Sequence, residues 1–459
     1  MEKMNWKGML IVFGIFLFAL VIILTGGKST LWNSVALGGL MIFFWVFEVI
    51  PIYVTALLPL ILSVPLGVLT KDDLASQYGD GNVYLFFGGF ILALGIEKWK
   101  VHEQVSYFII KRVGQSKPRI LLGFIMSTGF LSMWMSNTAT ALMMLPMAIA
   151  INNSLPDHGK KGKFPVFLLL SVAYAASIGG MATLIGSPTN TAMASYLMNT
   201  LNIKVDFVTW MSIGMPVSIL MLLATFGFFY FSLGAERNTN DHQFHLNVTP
   251  WTREQKMVSF IFLGVLAAWI LKDFMNDWFG FAYRDENAAI LGGILMLVIP
   301  GTTDKKPLLN WKDTEKLPWG ILLLFGGGLA MAKMFEKNGV IDALTKVFTQ
   351  FSDMPLFVIV LIVVTIAIFV TEIMSNLALV QIFVPLVAAF AMESGLSVVQ
   401  LCVPLTLAAS CAFMLPVGTP PNAIVFSSGQ IHIHQMVKVG FVLNIIGVII
   451  ITLAGMLYY

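Results

Sequence analysis

Two short polar motifs recur inside otherwise apolar sequence. Ser136-Asn137-Thr138 is answered by Ser375-Asn376-Leu377, and Gly186-Ser-Pro-Thr-Asn190 by Gly418-Thr-Pro-Pro-Asn422. These residue types suit ion binding without charged side chains. Pro188, Pro420 and Pro421 have no amide hydrogen to donate, so a helix running through either proline motif breaks there, freeing carbonyls on one side and amides on the other. Amides and the positive end of a half-helix dipole suit a carboxylate. Freed carbonyls, carboxamides and hydroxyls suit a hard cation such as Na+. The surrounding stretches 120–152, 164–203 and 394–431 contain no Lys, Arg, Asp or Glu, and 354–392 contains one, Glu372. A dianion held there is costly unless amide dipoles and a co-bound cation offset its charge, which favours cation coupling.

The elements that must position these motifs lie in lipid. Of the 459 residues, 58% are hydrophobic and 11% charged, with a mean hydropathy of +0.85; a soluble domain carries about 25% charged residues. Apolar runs long enough for a hydrocarbon core of roughly 30 Å recur from end to end, and without an alternating strand pattern the backbone can be satisfied only in helices. The expected fold is all-α: a polytopic membrane protein of about 11 transmembrane helices plus two re-entrant hairpins. Crossings are expected near 8–24, 34–49, 52–70, 82–97, 164–200, 209–233, 254–275, 286–300, 316–335, 397–427 and 436–458. The first run lacks a small-residue cleavage site and reads as a retained span. Lys3 and Lys7 place the N-terminus in the cytoplasm. The loops that follow on that side hold Lys98, Lys100, Lys111, Arg112, Lys117 and Arg119, then Lys160, Lys161 and Lys163, then Lys305, Lys306, Lys312 and Lys316. Eleven crossings leave the C-terminus, Tyr458-Tyr459, extracytoplasmic.

The motifs also define an internal repeat. The serines give 375 − 136 = 239, Pro385 follows Pro146 by the same separation, and Ser132 is matched by Thr371. The proline motifs give 422 − 190 = 232, and Phe87-Gly-Gly is set against Phe325-Gly-Gly-Gly. Each copy holds an odd number of crossings, so the second sits upside down relative to the first, an inverted-topology repeat with its binding site near the midplane. Around each Ser-Asn pair, Ile120 to Asn152 and Met354 to Met392 are too long for one crossing and polar at their middle, which predicts hairpins. A single helix with a polar helix–helix contact is the alternative.

Other residues are weighed against blander roles. Glu372 is a cation or proton site, or a cap on hairpin backbone. Cys402 and Cys411 read as core residues. His432 and His434 lack a third ligand for a metal site. The glycine motifs serve close helix packing, and Trp45, Glu48, Pro51 and Pro59 mark a kinked structural segment. No nucleophile–base pair or second intramembrane carboxylate supports an enzyme, and a passive channel needs neither broken spans nor paired hairpins. No nucleic-acid partner is expected.

At Ser136-Asn-Thr138, Gly186 to Asn190, Ser375-Asn376 and Cys411-Ala-Phe-Met-Leu-Pro-Val-Gly-Thr-Pro-Pro-Asn422, the chain resembles the divalent anion/sodium symporter family, in particular its bacterial dicarboxylate transporters. Trp45-Val-Phe-Glu-Val-Ile-Pro51 and Thr55-Ala-Leu-Leu-Pro59 carry the same likeness. The resemblance implies a homodimer in which 1–117 and 250–350 form a scaffold, while 118–235 and 353–459 form a transport domain that moves as an elevator in the lipid. It implies one Na+ site at Ser132, Ser136, Asn137 and Gly186 and a second at Thr371, Ser375, Asn376 and Gly418. It implies a dicarboxylate held by Ser136, Asn137, Thr138, Pro188, Ser375, Asn376, Leu377 and Pro420. Leu377 departs from the family pattern, where many members have Thr. Losing that hydroxyl, worth about 0.5–1.5 kcal/mol, changes substrate preference or marks a Na+-independent exchanger, the alternative to symport.

Overall fold

Apolar runs fold as helices because a membrane-spanning backbone must satisfy its own hydrogen bonds. Apart from one isolated bridge between Pro300 and Pro307, no strand occurs among the described residues. The computed structural model describes residues 6–114, 116–154, 162–238, 250–280, 282–302, 306–341, 343 and 354–457. Expectations placed on Lys3, Lys160, Lys161, Lys305, Tyr458 and Tyr459 lie outside these residues.

The first half runs α1 (Trp6–Leu24), α2 (Thr30–Val46), the short α3 (Ile52–Thr55) and α4 (Leu58–Leu62), then α5 (Lys71–Tyr78), α6 (Gly81–Lys98) and α7 (Val101–Val113). A hairpin of α8 (Lys117–Ser132) and α9 (Asn137–Ser154) follows, then a broken span of α10 (Phe164–Gly180) and α11 (Pro188–Leu201), then α12 (Phe207–Ser232). The second half runs α13 (Arg253–Ile270), α14 (Lys272–Phe279), α15 (Asp285–Val298) and α16 (Trp319–Lys337). It ends with a hairpin of α17 (Leu356–Val370) and α18 (Asn376–Glu393), a broken span of α19 (Val398–Ala408) and α20 (Pro420–Ser427), and α21 (Ile433–Leu457). The bounds of the hairpins correspond in register: 356 − 117, 376 − 137 and 393 − 154 all equal 239.

The equivalent helices α6 and α16 run antiparallel. Lys98, ending α6, bonds Asp313 ahead of α16 at 2.7 Å, and Lys337, ending α16, bonds Asp73 ahead of α6 at 2.6 Å. With 18 residues, α6 is roughly 27 Å long, so the two ion pairs occupy opposite ends of the bundle. Such reciprocity is the signature of a two-fold relation between the copies. At its centre the rings of Phe86 and Phe325 meet at 5.0 Å. The ring that meets Phe325 is thus that of Phe86, the neighbour of the Phe87 set against it in the sequence. The glycines after them do admit close packing: a Cβ on Gly88 would lie 2.4 Å from the Ala289 backbone, and one on Gly327 2.5 Å from that of Ala56.

The expected crossing at 52–70 is not one helix. Pro51 caps the first short helix and Pro59 sits at the start of the second, and side chains bond carbonyls around the break, Ile52 O accepting from Trp45 Nε1 at 2.9 Å and Ala56 O from the Tyr78 hydroxyl. The span at 254–275 bends by 64° between α13 and α14. The amphipathic helices α5 and α7 carry too many polar residues for a search by apolar runs to find them. Six described helices are long and apolar enough to cross a membrane, seven if α13 and α14 count as one span. The remaining expected crossings are shorter or broken, so helix length does not by itself fix the number at eleven.

Candidate substrate and cation sites

Both hairpin tips and both proline motifs line one cavity of about 970 Å³. Ser136, Asn137 and Thr138 enter from one hairpin and Ser375, Asn376 and Leu377 from the other, with Pro188, Gly418 and Pro420 between them. The far wall is Glu48, Ile52 and Tyr53 with Leu317 to Ile321, Leu323 and Leu324. Four helices, α9, α11, α18 and α20, begin at lining residues, so four positive dipole ends face the same space. No Lys or Arg is among the lining residues, and Glu48 is their one carboxylate. The arrangement suits an anion held by backbone rather than side-chain charge.

Behind each tip lies a cluster of oxygens, and the two clusters match. Ser132 Oγ donates to Ala176 O at 2.6 Å and lies 2.8 Å from the Asn137 carboxamide. Thr371 Oγ1 donates to Ala409 O at 2.8 Å and lies 2.7 Å from the Asn376 carboxamide. Turned nitrogen-inward, the Asn137 amide reaches Ser132 Oγ at 2.8 Å, Ala176 O at 3.1 Å and Gly186 O at 3.2 Å. Turned the other way, it adds a fourth oxygen to that ring. A hydroxyl, a carboxamide and two carbonyls around one point are a donor set of the kind that holds a hard monovalent cation. Gly186 and Gly418 leave room for the loops to close in, since a Cβ on Gly186 would fall 2.7 Å from Gly180 O and one on Gly418 3.1 Å from Ala412 Cβ.

Each broken span is pinned by the asparagine that ends its motif. Asn190 Nδ2 donates to Gly180 O at 2.9 Å and Thr183 O at 2.8 Å; Asn422 Nδ2 donates to Ala412 O at 2.9 Å and Leu415 O at 3.0 Å. These bonds cap carbonyls that the missing helical turn exposes. Glu372, which the sequence left between an ion site and a cap, is placed as a cap. Its Oε1 accepts from Phe413 N at 2.8 Å, Met414 N at 2.9 Å and Asn444 Nδ2 at 2.8 Å, and its Oε2 from Leu415 N at 3.0 Å.

The structure thus brings every expected site residue to the cavity or to the oxygen clusters behind it: Ser132, Thr371 and Gly186 stand behind, the others at the wall. Sequence reasoning missed Ser187 and Thr189, whose hydroxyls bond at 2.7 Å on the wall, along with Thr419, Tyr53 and Trp319. Hydroxyls flanking the prolines were the available signal. His432 and His434 stack at 5.6 Å, and among the described residues no group of three His, Cys, Asp or Glu side chains is placed to hold a metal.

Comparison with known proteins gives one consistent answer. A family model described as the sodium:sulfate symporter transmembrane region matches residues 2–459. The chain is 37% identical over 428 residues to the sodium-dependent dicarboxylate transporter SdcS of Staphylococcus saprophyticus, a match covering 89% of this chain and 82% of that protein. It is 35% identical over 473 residues to SdcS of Staphylococcus aureus, covering 98% and 90%. The crystal structure of the Alcanivorax borkumensis YdaH transporter covers 86% of this chain and 87% of its own with a TM-score of 0.58; at 11% identity that likeness is one of fold.

Proposed function

The chain belongs to the sodium:sulfate symporter family, and from that premise we propose that it moves C4 or C5 dicarboxylates, such as succinate, malate, fumarate or 2-oxoglutarate, across the cell membrane together with Na+. The observation that carries this reading is the convergence of four helix N-termini on a cavity without Lys or Arg, backed by two matched oxygen clusters. In this reading Ser136, Asn137 and Thr138 meet one carboxylate and Ser375 and Asn376 the other, while Na+ at Ser132, Ser136, Asn137 and Gly186, and at Thr371, Ser375, Asn376 and Gly418, offsets the dianion's charge. The relatives named for sodium-dependent dicarboxylate transport support both substrate and ion.

The packing favours an elevator. Both oxygen clusters lie within 118–235 and 353–459, and these segments pack on each other through Tyr174 against Phe413 at 5.2 Å and Asn152 Nδ2 to Gln430 Oε1 at 3.3 Å. The cavity's far wall, from Glu48 to Tyr53 and Leu317 to Leu324, belongs to 1–117 and 250–350. The first pair then travels as one body with its ligands against a dimeric scaffold. In this reading the N-terminus is cytoplasmic and the C-terminus extracytoplasmic.

Uptake of labelled succinate into proteoliposomes, with and without external Na+ and with empty or dicarboxylate-loaded lumen, tests the reading. Symport requires Na+-driven uptake into empty vesicles. Uptake that ignores Na+ and needs internal dicarboxylate makes the chain an exchanger, the reading that Leu377 on the cavity wall would then explain.

A further inference from the structure

The two oxygen clusters share a donor set but differ in charge. In the first copy the position matching Glu372 is Met133 (372 − 239), and the stretches 120–152 and 164–203 that build the cluster carry no Lys, Arg, His, Asp or Glu. The loop there is tied neutrally: the Thr183 hydroxyl donates to Met133 O and accepts from Gly186 N at 3.1 Å, and Ser218 Oγ donates to Ile178 O at 2.8 Å. In the second copy Leu415 stands where Thr183 does and has no hydroxyl, and a carboxylate does the tying.

Glu372 is 4% exposed and accepts from four N–H groups on its two oxygens, the pattern of an ionised carboxylate, which can only accept. Three of its donors point to Oε1, while Oε2 takes Leu415 N and turns toward Gly418: a Cβ on that glycine would lie 3.3 Å from Oε2. Glu372 also follows Thr371 directly, so its charge sits beside two of the second cluster's ligating residues. Inside a protein, where screening is weak, one such charge separates two otherwise equal cation sites.

We propose that Glu372 is the fixed counter-charge of the second cation site, so that the Thr371–Asn376–Gly418 site binds Na+ more tightly than the Ser132–Asn137–Gly186 site and fills first. The inference rests on the sodium-coupled reading above. Glu372 acts as a positioning residue: it touches the loop, and through the loop and its field the ion.

The test is equilibrium binding of radioactive sodium to the purified protein without dicarboxylate, alongside succinate uptake by the same preparations. Wild type should bind in two phases whose midpoints differ by roughly tenfold or more. Glu372→Gln should weaken the tighter phase until the two merge, and Glu372→Asp, which keeps the charge, should restore the separation; a purely structural cap would lower thermal stability in both variants and leave the sodium curve alone. A single phase in wild type, or a Glu372→Gln curve superimposing on wild type, overturns the inference while Na+-driven uptake stands. Uptake indifferent to Na+ instead removes the symport reading itself. Should Glu372→Gln fail to assemble, Ser132→Ala and Thr371→Ala decide the matter: displacement of the weaker phase by the first and the tighter by the second supports unequal sites, and displacement of one common phase refutes them.

Discussion

The two copies of the repeat hold the same shape by different chemistry. Toward the cavity they are near-duplicates: Ser132 with Thr371, Asn137 with Asn376, Asn190 with Asn422, each pair making equivalent bonds within 0.2 Å of one another. Behind the broken spans they part, with Thr183 and a backbone carbonyl on one side and Glu372 with Asn444 on the other. An inverted duplication can let its supporting shell diverge as long as each loop's carbonyls and amides find partners. The oxygens of the proposed cation sites have less freedom, because an ion held there would fix their geometry.

The strongest test of that likeness is Asn137→Ala against Asn376→Ala. Each removes a carboxamide oxygen that in the proposed reading faces the cation, a bond to a charged group worth about 1.5–3 kcal/mol. Each is expected to abolish succinate uptake while leaving assembly intact by size-exclusion chromatography. Wild-type uptake by either variant would break the comparison at its centre.

A second expected effect falls on a feature without a counterpart. Lys272 is buried between Asp206 and Asp285, at 3.0 and 2.9 Å, ahead of α12, whereas ahead of α21 the same place holds exposed His432. Lys272→Met leaves the buried Asp285 carboxylate without its cation, while Asp206 keeps Lys204 at 3.2 Å, and should cost about 3–5 kcal/mol in unfolding measurements, with Lys272→Met/Asp285→Asn recovering part of it. No substitution at His432 should approach that loss.

Smaller and nearly equal losses are expected from Asn190→Ala and Asn422→Ala. Each leaves two buried carbonyls without their donor, about 1–3 kcal/mol, and the thermal midpoints of the two variants should fall together. A loss confined to Asn190→Ala would show that Glu372 holds the second loop without its asparagine.

The hairpins, the broken spans and the tips were legible because proline and a polar pair in an apolar stretch have few other uses in a membrane. The duplication was legible; which ring meets Phe325 was not, since Phe86-Phe87 offers two and only packing selects one. The role of Glu372 could not be read locally, because its partners lie at Phe413 to Leu415 and Asn444, brought to it by tertiary packing. The break at Ala56 likewise depends on Gly327 and Tyr78 arriving from elsewhere in the chain.

The smallest effects belong to the reciprocal ion pairs, and there the comparison is sharpest because each half supplies one lysine and one aspartate. Asp73 and Asp313 both cap short helices, through Thr70 and Asn310, so Lys337→Met and Lys98→Met remove an ion pair and leave each cap in place. Lysines that are about one-third exposed or more make such pairs worth about 0–1 kcal/mol. The bond from Lys337, then the Thr70 amide, holds the Asp73 carboxyl at about 2 against an ordinary 3.8. For Asp313, burial opposes the charge, but Lys98 and the Asn310 amide outweigh it and the shift is again downward. A depressed folded value means that the stabilisation is complete above the unfolded value and fades as pH falls toward the folded one. The gap in thermal midpoint between wild type and Lys337→Met should therefore hold steady from neutral pH to about pH 4 and close on further acidification toward pH 2. Lys98→Met should trace the same course, since the two-fold relation gives both pairs the same partners at opposite ends of α6. A gap that persists in acid for one variant alone would mean that its lysine stabilises through its alkyl chain rather than its charge, and that the two ends of the bundle are tied together differently.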